Sequence, residues 1–225
     1  MYERELVLIA GLPGTGKSHV SQLIREHLGA FVEISIDPLK ERIWDDVGFD
    51  SLAHKRETEA AALSDFFRLL ERAMVRGERI IADYPFSEKQ RGELGRLCVR
   101  YGYRPVTVRM VADLEILYER QRNRDLDESR HLGHIVNSYR KGDSCRDRSR
   151  APGLLSREEF IHRCTTRGYE KFSLGPVLEL DTSDFSTVDF AAVLRWIGEQ
   201  YASPHGGRPD GEEMQGGRGD EERAP

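Results

Sequence analysis

The sequence predicts an α/β protein with a parallel sheet of five strands and helices on both of its faces. Two observations support this. Short continuous apolar runs alternate with longer segments of helical spacing along most of the chain, the pattern of parallel strands joined by right-handed crossovers. The first apolar run also passes directly into a glycine-rich loop, as a buried strand feeding a helix does.

Leu6 to Ala10 is that first strand. Helical spacing follows in Val20, Leu23, Ile24, His27 and Leu28, with Gly29 placed to end the helix. Phe31 to Ile36 reads as the second strand, and Asp37-Pro38 opens a new helix because proline suits a first turn. Glu57 to Arg76 follows as a long helix, Arg79 to Ala82 as a strand closing at Asp83, and Ser87 to Tyr101 as a helix. Pro105 to Val111 is the next strand and Asp113 to about Arg122 the next helix. Val177 to Leu180 and Val188 to Tyr201 complete the set.

One domain is expected over residues 1–201, with a basic lid insertion at about 123–155. The stretch from 125 to 153 has few large apolar side chains but holds Arg130, His131, His134, Arg140, Lys141, Arg146, Arg148 and Arg150, and so reads as a mobile cationic excursion. From 202 to 225 the chain is Gly, Pro and charge, with Met214 its only sizeable apolar residue. Such a tail cannot recover its ordering entropy and is expected to be disordered.

The chain has 225 residues, 38% hydrophobic and 32% charged, which excludes a fibre or a wholly disordered protein. Its 39 acidic residues outnumber 34 basic ones, against a protein that coats nucleic acid. No stretch approaches the roughly 20 apolar residues of a membrane helix, and the charges in MYERELVLIAG fall where a signal peptide needs its apolar centre. A cytoplasmic protein without a membrane partner is expected. Cys98, Cys145 and Cys164 show neither a C-x-x-C pair nor zinc spacing, so they read as reduced thiols.

Gly11-Leu12-Pro13-Gly14-Thr15-Gly16-Lys17-Ser18 satisfies G-x-x-x-x-G-K-[ST] between an expected strand and an expected helix, the context this phosphate-binding loop requires. At this composition chance supplies roughly 0.005 such matches. The glycines let successive N–H groups turn toward phosphate oxygens, and the helix dipole adds positive potential at its start. Gly11, Gly14, Thr15, Gly16, Lys17, Ser18 and the neighbouring His19 are the candidate nucleotide-binding residues. Lys17 would reach the β and γ phosphates, and the Ser18 hydroxyl would ligate Mg²⁺. A nucleoside triphosphate and Mg²⁺ are therefore the expected cofactors. The guanine signature N-K-x-D is not met by Asn123-Arg124-Asp125, which disfavours a GTPase.

LVLIAGLPGTGKS, the acidic residue closing Ile36-Asp37, and IIADYPF followed by an arginine-bearing helix end resemble a known group. It comprises the P-loop small-molecule and nucleic-acid kinases, among them zeta toxins, chloramphenicol phosphotransferase and the kinase domain of polynucleotide kinases. The resemblance implies that Asp37 is the general base for an acceptor hydroxyl. A carboxylate ending a strand beside the phosphate-loop strand would also face the ligand crevice, although Asp37 could instead cap the helix that follows. Asp83 would hold Mg²⁺ through water or touch substrate, unless it is only a turn residue. Arg120 and Arg124 share a helix face, as lid arginines that stabilise charge on the γ phosphate would. Arg42 and the Arg130-His131-Leu132-Gly133-His134 element are candidate acceptor contacts. Asp181-Thr182-Ser183 occupies the place where such kinases pack adenine.

The expected reaction is ATP- and Mg²⁺-dependent transfer of the γ-phosphoryl group to a hydroxyl of a small metabolite or antibiotic. A polynucleotide 5'-hydroxyl kinase is the alternative within the class. A nucleotide-dependent switch or assembly ATPase is the alternative outside it.

Overall fold

The computed structural model describes residues 4–202. The tail expected from residue 202 lies outside the described residues except for Ala202, which ends the last helix. The strands are β1 (Glu5–Gly11), β2 (Phe31–Ser35), β3 (Arg79–Asp83), β4 (Arg104–Val111) and β5 (Val177–Asp181). The helices are α1 (Lys17–Leu28), α2 (Ile36–Val47), α3 (Leu52–Val75), α4 (Glu88–Tyr101), α5 (Leu114–Leu126), α6 (Arg157–Thr166) and α7 (Phe190–Ala202).

All strand pairs are parallel, in the order β2-β3-β1-β4-β5. β1 has a strand on each side and helices on each face, so all seven of its residues are buried. Its alternating side chains divide the core. Leu6, Leu8 and Ala10 pack with Phe66 and Leu70 of α3 and with Leu94 and Leu97 of α4. Val7 and Ile9 pack with Val20 and Ile24 of α1 and with Val193 and Ile197 of α7. Apolar burial on both faces fixes this strand, and the loop at its carboxyl end inherits that rigidity.

Two expectations near the site are corrected. β3, not β2, lies beside β1, so the strand neighbouring the phosphate loop ends in Asp83 and not in Asp37. β2 also stops at Ser35, one residue before its apolar run ends; Ser35 is extended, and Ile36, Asp37 and Pro38 form the first turn of α2. Asp37 is thus a helical residue, neither a strand end nor a cap.

The lid differs from the expected loose excursion. Ile135, Val136, Tyr139 and Ala151 bury against Trp44 and Phe49, so a small second core seats the segment on α2. Phe49 and Tyr139 exchange backbone hydrogen bonds of 2.9 and 2.7 Å. Gly48 (φ 68°) permits this approach, since a Cβ there would stand 2.6 Å from the Tyr139 carbonyl. Lys55 on α3 donates to the carbonyls of His134 (3.4 Å) and Val136 (3.1 Å). α6 was not expected; its start is a capping box between Ser156 and Glu159.

Among the described residues no helix is long and apolar enough to cross a membrane, and the three cysteines are free thiols.

Candidate active site

Between β1 and α1 the backbone passes through Gly11, Gly14 and Gly16 at φ 147°, 86° and 85°, a region that glycine enters at low cost. There is no room for side chains either: a Cβ on Gly11 would lie 2.6 Å from the Met110 carbonyl, and one on Gly14 2.9 Å from that of Leu117. Thr15 is fully buried and fastens the loop. Its hydroxyl donates to the Leu12 carbonyl (2.8 Å), and its own carbonyl accepts from the Thr182 hydroxyl (3.0 Å). The Asp181–Ser183 turn is thereby tied to the phosphate loop.

Lys17 donates to the Leu12 carbonyl at 3.1 Å. Burial lowers its pKa, against the pull of Asp83 and Asp37. The Ser18 hydroxyl donates to Asp83 at 3.1 Å. Burial raises the Asp83 pKa, opposed by Lys17 and by that hydrogen bond. A hydroxyl and a carboxylate so placed are hard oxygen donors, suited to a magnesium ion that keeps most of its ligands as water and phosphate oxygens. His19, one position on and so about 100° round the helix, packs edge-on against Phe185 and Phe190 at 6.1 and 5.6 Å.

Asp37 faces the same cavity, of about 1550 Å³, within a cluster of cations. Arg124 of α5 and Arg130 of the lid each donate to its Oδ2 at 3.1 Å, and the Lys40 ammonium lies 3.9 Å from Oδ1. Burial alone would raise the Asp37 pKa; Lys40, His134, Arg130 and Arg124 outweigh it and hold the carboxyl well below the usual range. Arg130 also reaches Glu41 at 3.4 Å, and its side chain is only 10% exposed. Burial lowers its pKa, against Asp37. Its Nε, and the neighbouring Gln121 Oε1, are buried without a hydrogen-bond partner.

His134 completes the cluster with a 2.7 Å hydrogen bond to Glu41. Burial pushes its pKa down to about 4, against Glu41 and Asp37. The ring is therefore neutral at pH 7 and donates from Nε2, leaving Lys40 and the two arginines as the cations on Asp37.

Other expected residues are used differently. Arg120 donates to the carbonyls of Thr182 (2.7 Å) and Ser183 (2.9 Å) and lies over the Phe185 ring, so it secures the β5–α7 turn and makes no contact with Asp37. Arg42 pairs with Asp65 on α3 at 2.9 Å, outside the cavity. Five helical residues rotate about 500°, so Arg42 points about 140° away from Asp37. Lys40 and Glu41, three and four residues on, share its face. His131 accepts from the Gly133 amide at Nδ1 (3.0 Å), so Nε2 donates to Asp45 (3.1 Å) and the ring anchors the lid outside the cavity.

The AAA domain family model matches residues 6–138. The chain belongs to this family. Its fold is the P-loop kinase-like one. A proposed kinase from Chloroflexus aurantiacus J-10-fl superposes with a TM-score of 0.67 at 24% identity, covering 87% of this chain and 97% of that one. A gluconokinase from Sinorhizobium meliloti 1021 superposes with a TM-score of 0.52 at 13% identity, covering 90% of this chain and 94% of that one. No curated protein matches the sequence. Within this AAA-domain chain the matched stretch includes the phosphate loop, Asp37, Asp83, Arg124 and Arg130, and it ends before Tyr139.

Proposed function

We propose that the protein is an ATP- and magnesium-dependent kinase that phosphorylates a hydroxyl of a small molecule. One observation carries this reading: a phosphate loop, an oxygen-donor pair and an ionised carboxylate held by two arginines all open onto one cavity. A carboxylate beyond the phosphate site can take the proton of an acceptor hydroxyl.

The loop amides and Lys17 would hold the β and γ phosphates, with the amino end of α1 directed at them. Ser18 and Asp83 would hold magnesium, which bridges phosphate oxygens and neutralises charge when bound. Arg124 and Arg130 would neutralise charge on the γ oxygens. Asp37 would receive the acceptor's proton. While both arginines rest on it, it is a weak base; phosphate oxygens competing for those guanidinium groups would restore its basicity as the reactants assemble. Because the transition state is loose, the proton moves late and a modest base suffices. A cytoplasmic location would supply the ATP.

The test incubates the full chain with γ-labelled ATP and a metabolite extract and seeks a compound that gains about 80 mass units, one phosphoryl group. A labelled product that disappears with Lys17→Ala, at unchanged circular dichroism, is expected. Slow ATP hydrolysis indifferent to every alcohol offered would show a switch instead.

A further inference from the structure

The two halves of the cavity differ in charge. In the half beside the phosphate loop most cations have a carboxylate close by, although Arg120, which also lines it, rests on the carbonyls of Thr182 and Ser183. Asp83 acts on Lys17, while Asp37, Glu41 and Asp125 surround Lys40, Arg124 and Arg130. The outer half, walled by α3, α6 and the turn after α6, holds Lys55, Arg56, Arg163 and Arg167 against Glu59 and Glu159. Glu159 is committed to the Ser156 amide at 2.8 Å in the capping box. Glu159 also acts on Arg163, but the four cations of this half outnumber its two carboxylates.

These side chains are near one another. The Lys55 pKa is lowered by burial first, then by Lys40 and Arg163, against Glu59. Burial, Tyr169 and Glu59 push the Tyr84 hydroxyl up to about 12, against Arg167. Among the described residues neither Arg56 nor Arg163 pairs with a carboxylate, and Arg167 donates only to the Tyr169 hydroxyl at 3.2 Å. Most other arginines among the described residues rest on a carboxylate, as Arg25 does on Glu33, Arg79 on Glu5 and Arg109 on Glu179. Guanidinium groups left unpaired on one wall of a cavity match the flat, two-oxygen face of a carboxylate or phosphate. Leu154 and Leu155 also line the cavity and suit a carbon skeleton.

Resting on the kinase reading above, we propose that Arg163 and Arg167, with Arg56 at the rim, form an anion subsite, so that the acceptor is an alcohol bearing its own carboxylate or phosphate away from the hydroxyl that is phosphorylated. Selectivity for this class would come from the outer wall, leaving the phosphate loop to the nucleotide. Arg130, His134 and Asn137 of the lid line the same cavity.

The experiment uses the full chain saturated with magnesium and a non-hydrolysable ATP analogue, so that the loop is filled. Failure of the analogue to bind would defeat the kinase reading itself. With the analogue bound, inorganic phosphate and malonate are titrated separately by calorimetry at constant ionic strength; the tighter of the two identifies a phosphate or a carboxylate acceptor. Binding of one equivalent is expected, at least tenfold weaker in Arg163→Ala/Arg167→Ala and partly retained in Arg163→Lys/Arg167→Lys, with analogue affinity unchanged in both. Absence of anion binding to the analogue-loaded protein, or binding indifferent to these substitutions, overturns the subsite. A single-stranded 5'-hydroxyl decanucleotide provides the last arm. If it binds through Arg163 and Arg167 with a steep salt dependence while small anions do not, the wall guides a nucleic acid strand and the small acidic alcohol is excluded.

Discussion

Lowering the pH from 7 to 5 should loosen the fold through one residue, His134. Its ring projects from the lid onto α2 with 11% of the side chain exposed, its Nε2–H on Glu41 and its edge 4.9 Å from the Trp44 ring. Glu41, Asp37 and Arg130 are the charged groups that act on it. In an unfolded chain histidine titrates near 6.5, and here burial pushes it down to about 4. The folded state therefore resists the proton that the unfolded state accepts. The stabilisation is complete above about pH 6.5 and is lost progressively as the pH falls toward 4. At 1.36 kcal/mol per unit, the pH 7 to 5 interval removes about 2 kcal/mol. Urea unfolding followed by circular dichroism at both pH values should show the native chain losing about 2 kcal/mol more than His134→Gln, whose amide can still donate to Glu41. The difference between the two proteins isolates His134 from carboxylates that titrate nearby. Equal losses, or an imidazole titrating near 6.5 by NMR in the folded protein, would refute the buried neutral ring.

Three further outcomes follow from the site. Asp37→Asn should reduce labelled product formation about 100-fold, the lower end for a general base, while raising ATP affinity two- to fivefold as the arginines lose a competing anion; calorimetry with the ATP analogue separates the two, and undiminished transfer would remove Asp37 from the chemistry. Gly133→Ala should destabilise the protein by about 1–3 kcal/mol in urea unfolding, because its Cβ would stand 2.5 Å from Trp44 Cε3 and 3.0 Å from His131 Nδ1. Arg42→Ala should leave product formation unchanged and stability within about 0.5 kcal/mol, since its ion pair with Asp65 is exposed and outside the cavity.

Elements governed by local periodicity were legible in the sequence. All five strands and six of the seven helices were anticipated, because apolar runs and glycine stops reflect burial directly. The phosphate loop was legible for a related reason: its function requires residue types at fixed spacing. Strand order was not, since nothing local places β3 between β1 and β2, and Asp37 was consequently assigned to the wrong neighbour. The lid was misjudged by composition. Its few apolar residues have no period, yet they fill a small core completed by Trp44 and Phe49, far away in sequence. α6 showed its Ser156-x-x-Glu159 box and could have been found from it. Lys40 and Glu41 were also accessible, because any residue placed on a helix brings its third and fourth successors to the same face. The outer arginines gave no such signal; only tertiary structure shows which guanidinium groups lack a carboxylate.

The charge arrangement gives Asp37 two states. With the arginines at 3.1 Å it is an ion-pair partner that joins α5 and the lid to α2; on the proposed reading, with them drawn to phosphate, it would be a free carboxylate beside the acceptor. The same two residues that would stabilise the transferring group thus suppress the base until that group is present. On the proposed reading such an arrangement would disfavour water as acceptor, since a water molecule entering with nucleotide would have to displace an acceptor that the outer wall held by its anion. Discrimination against hydrolysis would then reside in residues remote from the transferred phosphorus, so removing Arg163 and Arg167 should raise the ratio of hydrolysis to transfer even where total ATP consumption changes little.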